Sequence, residues 1–334
     1  MSKEDHSRKA VGLDVGTSRI VVAERVQDEY HFHSQLNAFV SVPFSEFTRG
    51  VFIKEKVPHQ VAGEEMLVTG DQSEKLANML NREIRRPMMR GLLNPAEAEN
   101  LNVLKRIVGS MLEDSGHRGG KLCFSVPGPA VNGTDELTYH EAALKQALRD
   151  LGYEVSSINE GLAVVLAELE ASSYTGIGIS CGGGMCNICL AYLSLPVFSF
   201  SIPKAGDFID SSAAAVTGEN ATRVRMAKEA EFHFNGHFAD KIQQALAVYY
   251  DDVIRSAVAA LKDAFARTRN VPRFERPIPL VIAGGSALPQ GFRDRFEAVL
   301  REAQLPVPLS EVRMAAEPLH TTAKGALVAA LASV

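Results

Sequence analysis

The chain has 334 residues, 46% of them apolar, enough to bury a substantial core and long enough to favour two domains over one. A net charge of −5 at pH 7, with no cluster of five or more Lys or Arg, gives no pull toward nucleic acid. The polar start MSKEDHSRKA lacks the apolar stretch of a signal peptide, and no apolar run is long enough to cross a bilayer. The cytoplasm is therefore the expected compartment, without direct membrane insertion.

In chain order, residues 11–23 read as a tight β-hairpin. In GLDVGTSRIVVA the apolar residues precede a glycine turn and resume immediately after it. Residues 29–95 mix short strands, a helix start at GDQSEKLANML and an arginine-rich loop, and look like an insertion. An amphipathic helix is expected over 96–114, a short buried strand at LCFSVPG, and a helix with an acidic start over 135–151. The stretch NEGLAVVLAELEASS predicts a helix joining two halves. It leads into a second glycine hairpin over 176–192, GIGISCGGGMCNICLA. A long amphipathic helix follows over 242–267, then the strand and turn of LVIAGGSALPQG. The last element, LHTTAKGALVAALASV, is a small-residue helix able to pack closely on a neighbour. Glycine turns let backbone N–H groups approach phosphate oxygens, so the pair of hairpins suggests a nucleotide held between two halves.

Three of the four cysteines, Cys181, Cys186 and Cys189, crowd the second hairpin, a poor disulfide framework that fits a reducing compartment. A strand sends Cys186 and Cys189 to opposite faces, which favours packing over joint metal ligation. His233 and His237, with Glu231 nearby, read as a solvated loop around Asn235 and Gly236 rather than a metal site.

The order of a GLDVGTS hairpin, an NEGLAVV helix, a GGG hairpin, a GDFID element, an AGGSALPQGF turn and a small-residue terminal helix resembles the actin, heat-shock-chaperone and sugar-kinase ATPase superfamily. Bacterial actins of the rod-shape-determining type are the nearest likeness, through IRRPMMRGLLNPAEAE and GDFIDSSAAAV. The resemblance implies an α/β fold of two actin-like (ribonuclease H-like) domains around a nucleotide cleft. Domain I would span 1–158, with an inserted outer subdomain at about 29–95, and be completed by the terminal helix 319–334. Domain II would span 159–318 and carry a trimmed outer subdomain, since only about a dozen residues separate RVRMAKE from the long helix.

ATP and Mg2+ are the implied cofactors. By resemblance Asp14 sits near the magnesium through water, and Gly16, Thr17, Ser18, Gly182, Gly183 and Gly184 hold the phosphates. Gly206 and Asp207 start a helix near the cleft, while Arg225 and Glu229 face the ribose or base. Gly284, Gly285, Ser286 and Leu288 lie against the adenosine, and Glu160 places the attacking water as the catalytic residue. A carboxylate closing an apolar strand, as Asp14 does, is costly unless paired or near a cation. Each piece has a plainer reading: Gly16 and Thr17 turning a hairpin, Glu160 favouring a helix N-terminus, Asp207 capping a helix, Arg225 and Glu229 on a solvated face.

This sequence departs from the family at Gly161, where proline is usual. It departs again at Ser180 and Met185, where relatives carry an aspartate and a hydroxyl residue. A carboxylate about 4 Å from a cation is worth up to roughly 4 kcal/mol at an effective dielectric near 20, before desolvation. Its absence predicts weak or impaired hydrolysis with binding retained. The functional expectation is an ATP-binding bacterial actin-like protein with a cytoskeletal or scaffolding role, connected with cell shape, that binds ATP or ADP and self-associates or recruits a protein partner. A nucleotide-controlled pilus-assembly or chaperone-like adaptor and, further off, a small-molecule kinase are the alternatives.

Overall fold

The computed structural model describes residues 10–113, 119–130, 136–234 and 236–333. The first half holds β1 (Ala10–Val15), β2 (Arg19–Val26), β3 (Glu29–Leu36), β4 (Phe39–Pro43), α1 (Glu46–Lys54), β5 (His59–Ala62), β6 (Glu65–Thr69), α2 (Asp71–Leu80), β7 (Met88–Met89), β8 (Leu92–Leu93), α3 (Asn100–Leu112), β9 (Lys121–Val126), α4 (Glu136–Asp150) and β10 (Glu154–Asn159). The remainder of the sequence holds α5 (Glu160–Glu168), β11 (Gly176–Cys181), β12 (Cys186–Tyr192), β13 (Leu195–Ile202), α6 (Gly206–Thr217), α7 (Ala221–Glu231), α8 (Lys241–Arg267), β14 (Ile278–Ala283), α9 (Phe292–Ala303), β15 (Leu309–Met314) and α10 (Thr321–Ala332).

Two five-stranded sheets organise the molecule, ordered β10-β9-β1-β2-β3 and β13-β12-β11-β14-β15. Both have the same plan. The central strand pairs antiparallel with the strand that follows its glycine turn and parallel with a later strand on its other side. Every residue of β11 is buried, as a strand covered on both faces requires, which explains its unbroken apolar run. On the outer face of the second sheet, Ile177, Ile179, Ile188 and Leu190 meet residues of α6 and α8; Val11, Leu13, Ile20 and Val22 of the first sheet meet α3 and α4.

The inner faces are covered by α5 and α10, which also pack against each other. Ala10, Val21 and Ala23 cluster with Ala323, Ala326 and Leu327, while Cys189, Ala191 and Val281 cluster with Val164 and Val165. The small residues of α10 serve this crossing: a Cβ at Gly325 would collide with the Ala163 carbonyl. Cys186 belongs to the outer-face core and Cys189 to the inner one, the opposite placement that strand geometry predicts.

Three expectations are adjusted. The insertion begins after Leu36, not near residue 29, because β3 continues the first sheet; its polar, mostly exposed sequence hid it. The inserted part is the sheet β4-β6-β5 with α1 and α2. The helix expected over 96–114 starts at Asn100, since Asn94 holds residues 94–97 in a turn by accepting from the Ala96 and Glu97 N–H groups; Asp114, like Asp135 ahead of α4, lies outside the described residues. Between α7 and α8 the described residues form only a loop, whose Phe232 stacks on Tyr250 at 5.0 Å and whose Phe234 meets Phe292 at 6.2 Å. His233 and His237 fall on this loop, Asn235 lies outside the described residues, and no cluster of metal-ligating side chains occurs among those described.

Candidate functional site

The parallel strands of both sheets end at one crevice, and the two glycine turns meet there. The first turn is closed by Gly16 N–H donating to Arg19 O at 3.0 Å, the second by Gly182 N–H donating to Met185 O at 3.0 Å. A Cβ at Gly184 would strike the Gly91 backbone N and Thr17 Oγ1, and one at Gly183 would force Ser18 Oγ to move. Backbone from one sheet therefore touches hydroxyls from the other.

Two carboxyl groups stand at the bottom of this contact. Asp14, at the end of β1, accepts a 2.6 Å bond from Ser125 Oγ of β9. Burial pushes its pKa up to about 6, against the pull of that bond. Glu160 opens α5, capped by Asn159, whose Oδ1 accepts from the Gly161 and Leu162 N–H groups. Its Oε2 accepts from Ser180 Oγ at 3.1 Å and Asn187 Nδ2 at 2.9 Å. Burial first, and the negative charge of Asp14 second, lift it to about 8 despite those bonds. Gly161 is itself buried, its Cα set against the Cys189 backbone, so the helix start is held firmly without proline.

The arginine-rich loop closes over the turns. Gly91 N–H donates to Thr17 Oγ1 at 2.8 Å, and Arg86 Nη1 donates to Ser18 Oγ at 3.4 Å and Asp207 Oδ1 at 3.1 Å. Met185 lies against Gly91. The start of α6 is tied to the second turn: the Gly206 and Asp207 N–H groups donate to Gly182 O and Gly183 O at 3.2 and 2.8 Å. Asp207 is thus a first-turn residue that pairs with Arg86 rather than a cap.

In the turn expected to face the adenosine, Gly284 has φ of 95° and no room for a Cβ beside the Cys181 backbone. Ser286 Oγ donates to Gly182 O at 2.6 Å, so this turn abuts the second hairpin. Gly285 follows in the same turn, and Leu288 is 48% exposed. Arg225 reaches across to Glu74 of α2 at 3.0 Å, while Glu229 is exposed. Arg19 points away from the turns, toward Ser34 and Asp71.

Four site residues escaped sequence reasoning: Ser125, Asn187, Arg86 and Lys228. The first two are polar interruptions of buried strands, a readable signal, and each holds one of the carboxyl groups; Asn187 also accepts from Gly128 N–H at 2.8 Å. Lys228 is buried and pairs with Asp210 at 2.8 Å beneath the start of α6, and nothing in RVRMAKE distinguishes it from a surface lysine.

Two matching sheets, a shared crevice lined by both glycine turns, and paired inner helices define the actin-like ATPase fold. The sequence profile of the volactin family matches residues 9–330, and the chain belongs to that family. Among individual proteins, it is 26% identical over 289 residues to a MamK-like protein of Paramagnetospirillum magneticum (strain ATCC 700264 / AMB-1), covering 78% of this chain and 80% of that one. Its fold is similar to that of the MamK double helical filament, with a TM-score of 0.72 at 16% identity, covering 96% of this chain and 98% of that one. It is also similar to MreB 5 of Spiroplasma citri bound to AMPPNP, with a TM-score of 0.66 at 14% identity, covering 95% and 94%.

Proposed function

We propose that this chain is a cytoplasmic ATP-binding, actin-like cytoskeletal or scaffolding protein with a role in cell shape, whose nucleotide state controls self-association and whose hydrolysis is weak. The observation that carries the reading is the meeting of the two glycine turns above a pair of carboxyl groups. Backbone N–H groups from opposite sheets at one crevice suit a polyphosphate, which touches both halves more fully in the closed state. The halves divide near residue 158, with α10 belonging to the first. The MamK and MreB relatives support the wider part, since one is described as a filament and the other as bound to AMPPNP.

The donor set fits a hard cation. Asp14 supplies carboxylate oxygen, and Thr17 and Ser18 supply hydroxyls, the oxygen chemistry that Mg2+ prefers. Asp14 is the residue that would hold the ion, through water. Bound Mg2+ would supply positive charge against the phosphate oxygens. Ser125 fixes the Asp14 carboxyl, while Ser180 and Asn187 fix Glu160 at the mouth of α5, where it can orient a water. Weak turnover follows from two features. Ser180 stands where a second carboxylate is usual and donates to Glu160. Burial and the charge of Asp14 raise the pKa of Glu160 itself, which favours its neutral form until a cation is bound beside it.

Calorimetric titration with ATP and ADP, with and without Mg2+, tests the proposal. Wild type is expected to bind with a magnesium-dependent gain in affinity. Asp14→Ala should lose about tenfold or more of that gain, and Glu160→Gln should keep it while losing residual hydrolysis. Absence of nucleotide binding by the wild type overturns the reading.

A further inference from the structure

The second glycine hairpin is closed by sulfur. In the first sheet the strands flanking the glycine turn end on Val15 opposite Ile20; in the second they end on Cys181 opposite Cys186. The bond from Gly182 N–H to Met185 O lies one step further into the turn. Cys181 and Cys186 are therefore a non-hydrogen-bonded pair, the closer of the two antiparallel kinds, at about 4.5 Å between Cα atoms. That separation is one a disulfide spans, and the two Sγ atoms already stand 3.5 Å apart. Both side chains are buried, 2% and 0% exposed, in the outer-face core with Ile209 of α6 and Ala287. Packing alone has no need of sulfur here, since valine and isoleucine fill the same place in the first hairpin. Cys189 faces the inner core and Cys123 belongs to the other sheet, so neither competes for the pair.

The pair also sits where a small shift is felt. Only residues 182–185 separate the two cysteines, and their turn has no slack. Gly182 O accepts from Gly206 N–H and Ser286 Oγ, Gly183 O accepts from Asp207 N–H, and a Cβ at Gly184 would strike Thr17 Oγ1 and the Gly91 backbone N. Bringing the sulfurs from 3.5 Å to a bonded distance of about 2.05 Å turns both side chains and draws the strand ends together. The turn that would offer its N–H groups to phosphate is thereby pushed against the neighbours that fix it.

We infer that Cys181 and Cys186 form a reversible disulfide when a peroxide reaches the empty crevice, and that this bond lowers the affinity for nucleotide. The hydrogen bond with Cys181 first, and burial second, raise the pKa of Cys186, which assigns the first attack to Cys181 and the second to Cys186. The Cys181 sulfur attacks one peroxide oxygen; an S–O bond forms as the O–O bond breaks, and the departing hydroxide takes up the Cys181 proton as water. The Cys186 sulfur then attacks the sulfenic sulfur; the S–S bond forms, the S–O bond breaks, and hydroxide leaves with the Cys186 proton as a second water. Two thiols lose two electrons, and the peroxide gains them. A thiol reductant reverses the bond by exchange, as suits the cytoplasm, where disulfides are transient and redox-sensing. Buried thiols are inert, so the reaction belongs to a form in which the start of α6 has released the turn. Bound nucleotide opposes that release, and oxidation opposes nucleotide to the same degree. The inference rests on the nucleotide site proposed above.

Hydrogen peroxide acting on the full chain tests it, with thiols counted by maleimide labelling after denaturation and the intact mass recorded. Nucleotide-free wild type is expected to fall from four thiols to two, to lose two hydrogens in mass, and to regain both with dithiothreitol. Its affinity for a fluorescent ATP analogue should drop about tenfold or more on oxidation, and saturating Mg-ATP should slow the oxidation by a similar factor. Cys181→Ala should form no disulfide and bind the analogue alike before and after peroxide, whereas Cys189→Ala should respond as wild type does. Four thiols persisting, sulfinic acid in place of a disulfide, pairing that includes Cys123 or Cys189, oxidation at one rate with and without Mg-ATP, or a disulfide that leaves the affinity unchanged overturns the switch. Each of these leaves the nucleotide site standing. A reduced wild type that binds no nucleotide overturns the site and the switch with it.

Discussion

His140 sits on α4 with 1% of its surface exposed; its Nδ1 accepts the Leu93 N–H at 3.2 Å, and its Nε2 meets no hydrogen-bonding atom among the described residues. Burial pulls its pKa down from 6.5 to about 4. The unfolded chain therefore takes up a proton between pH 6.5 and about 4 that the folded chain refuses, so this side chain's contribution is intact above pH 6.5 and lost as pH falls to about 4. At one pKa unit per 1.36 kcal/mol the loss reaches about 3 kcal/mol. His140→Gln keeps an acceptor for Leu93, and urea titrations at pH 4 to 7 should show its stability gaining on wild type by that margin at the acid end. The contrast with Asp14 is instructive. A carboxylate closing an apolar strand announces itself, because leaving it unpaired is expensive. A histidine within a polar helix such as ELTYHEAALKQALRD does not, since its burial depends on what the rest of the chain lays over α4.

The crossing of α5 and α10 carries the clearest element-scale expectation. Gly325→Ala drives a methyl into the Ala163 carbonyl and should cost roughly 1–3 kcal/mol or more by forcing the helices apart. Gly109 provides the counter-case: on α3 its added Cβ meets only Leu151 Cδ2 at 3.7 Å, so Gly109→Ala should gain about 0.5–1 kcal/mol from helix propensity. Thermal unfolding of the two variants beside wild type measures both signs. The small-residue composition of α10 and the apolar strands flanking each glycine turn were legible because close packing and double-sided burial leave compositional marks. β3 was not, because a half-exposed edge strand such as EYHFHSQL has neither an apolar run nor clean alternation. The start of α3 was misread because Asn94, by side-chain hydrogen bonding, outcompetes a helical start that periodicity alone would allow.

At the scale of the whole molecule, two ion pairs span the crevice: Arg86 with Asp207, 121 residues apart, and Arg225 with Glu74, 151 residues apart. Sequence could not pair them, since the separations are closed only by the final arrangement of the two sheets. The order of motifs along the chain, by contrast, revealed the duplicated plan and the crevice. The arginines are 21% exposed and the acids 37% and 42%, so each pair is worth about 0.2–1 kcal/mol. Glu74→Gln combined with Arg86→Ala should loosen the closed form and speed exchange of a fluorescent ATP analogue roughly 2- to 10-fold, read by stopped flow; unchanged release would show that the pairs do not hold the halves together.

The seat of α10 against β1 also orders events at the ribosome. The β11–β15 sheet has all its strands by Met314, but the sheet begun at Ala10 lacks its inner cover until Thr321–Ala332 emerge. The half synthesised first must therefore wait, with Ala10, Val21 and Ala23 uncovered, until Thr321–Ala332 have been translated. Nascent chains halted before α10 are accordingly expected to engage chaperones through their N-terminal half while their C-terminal half is already protease-resistant.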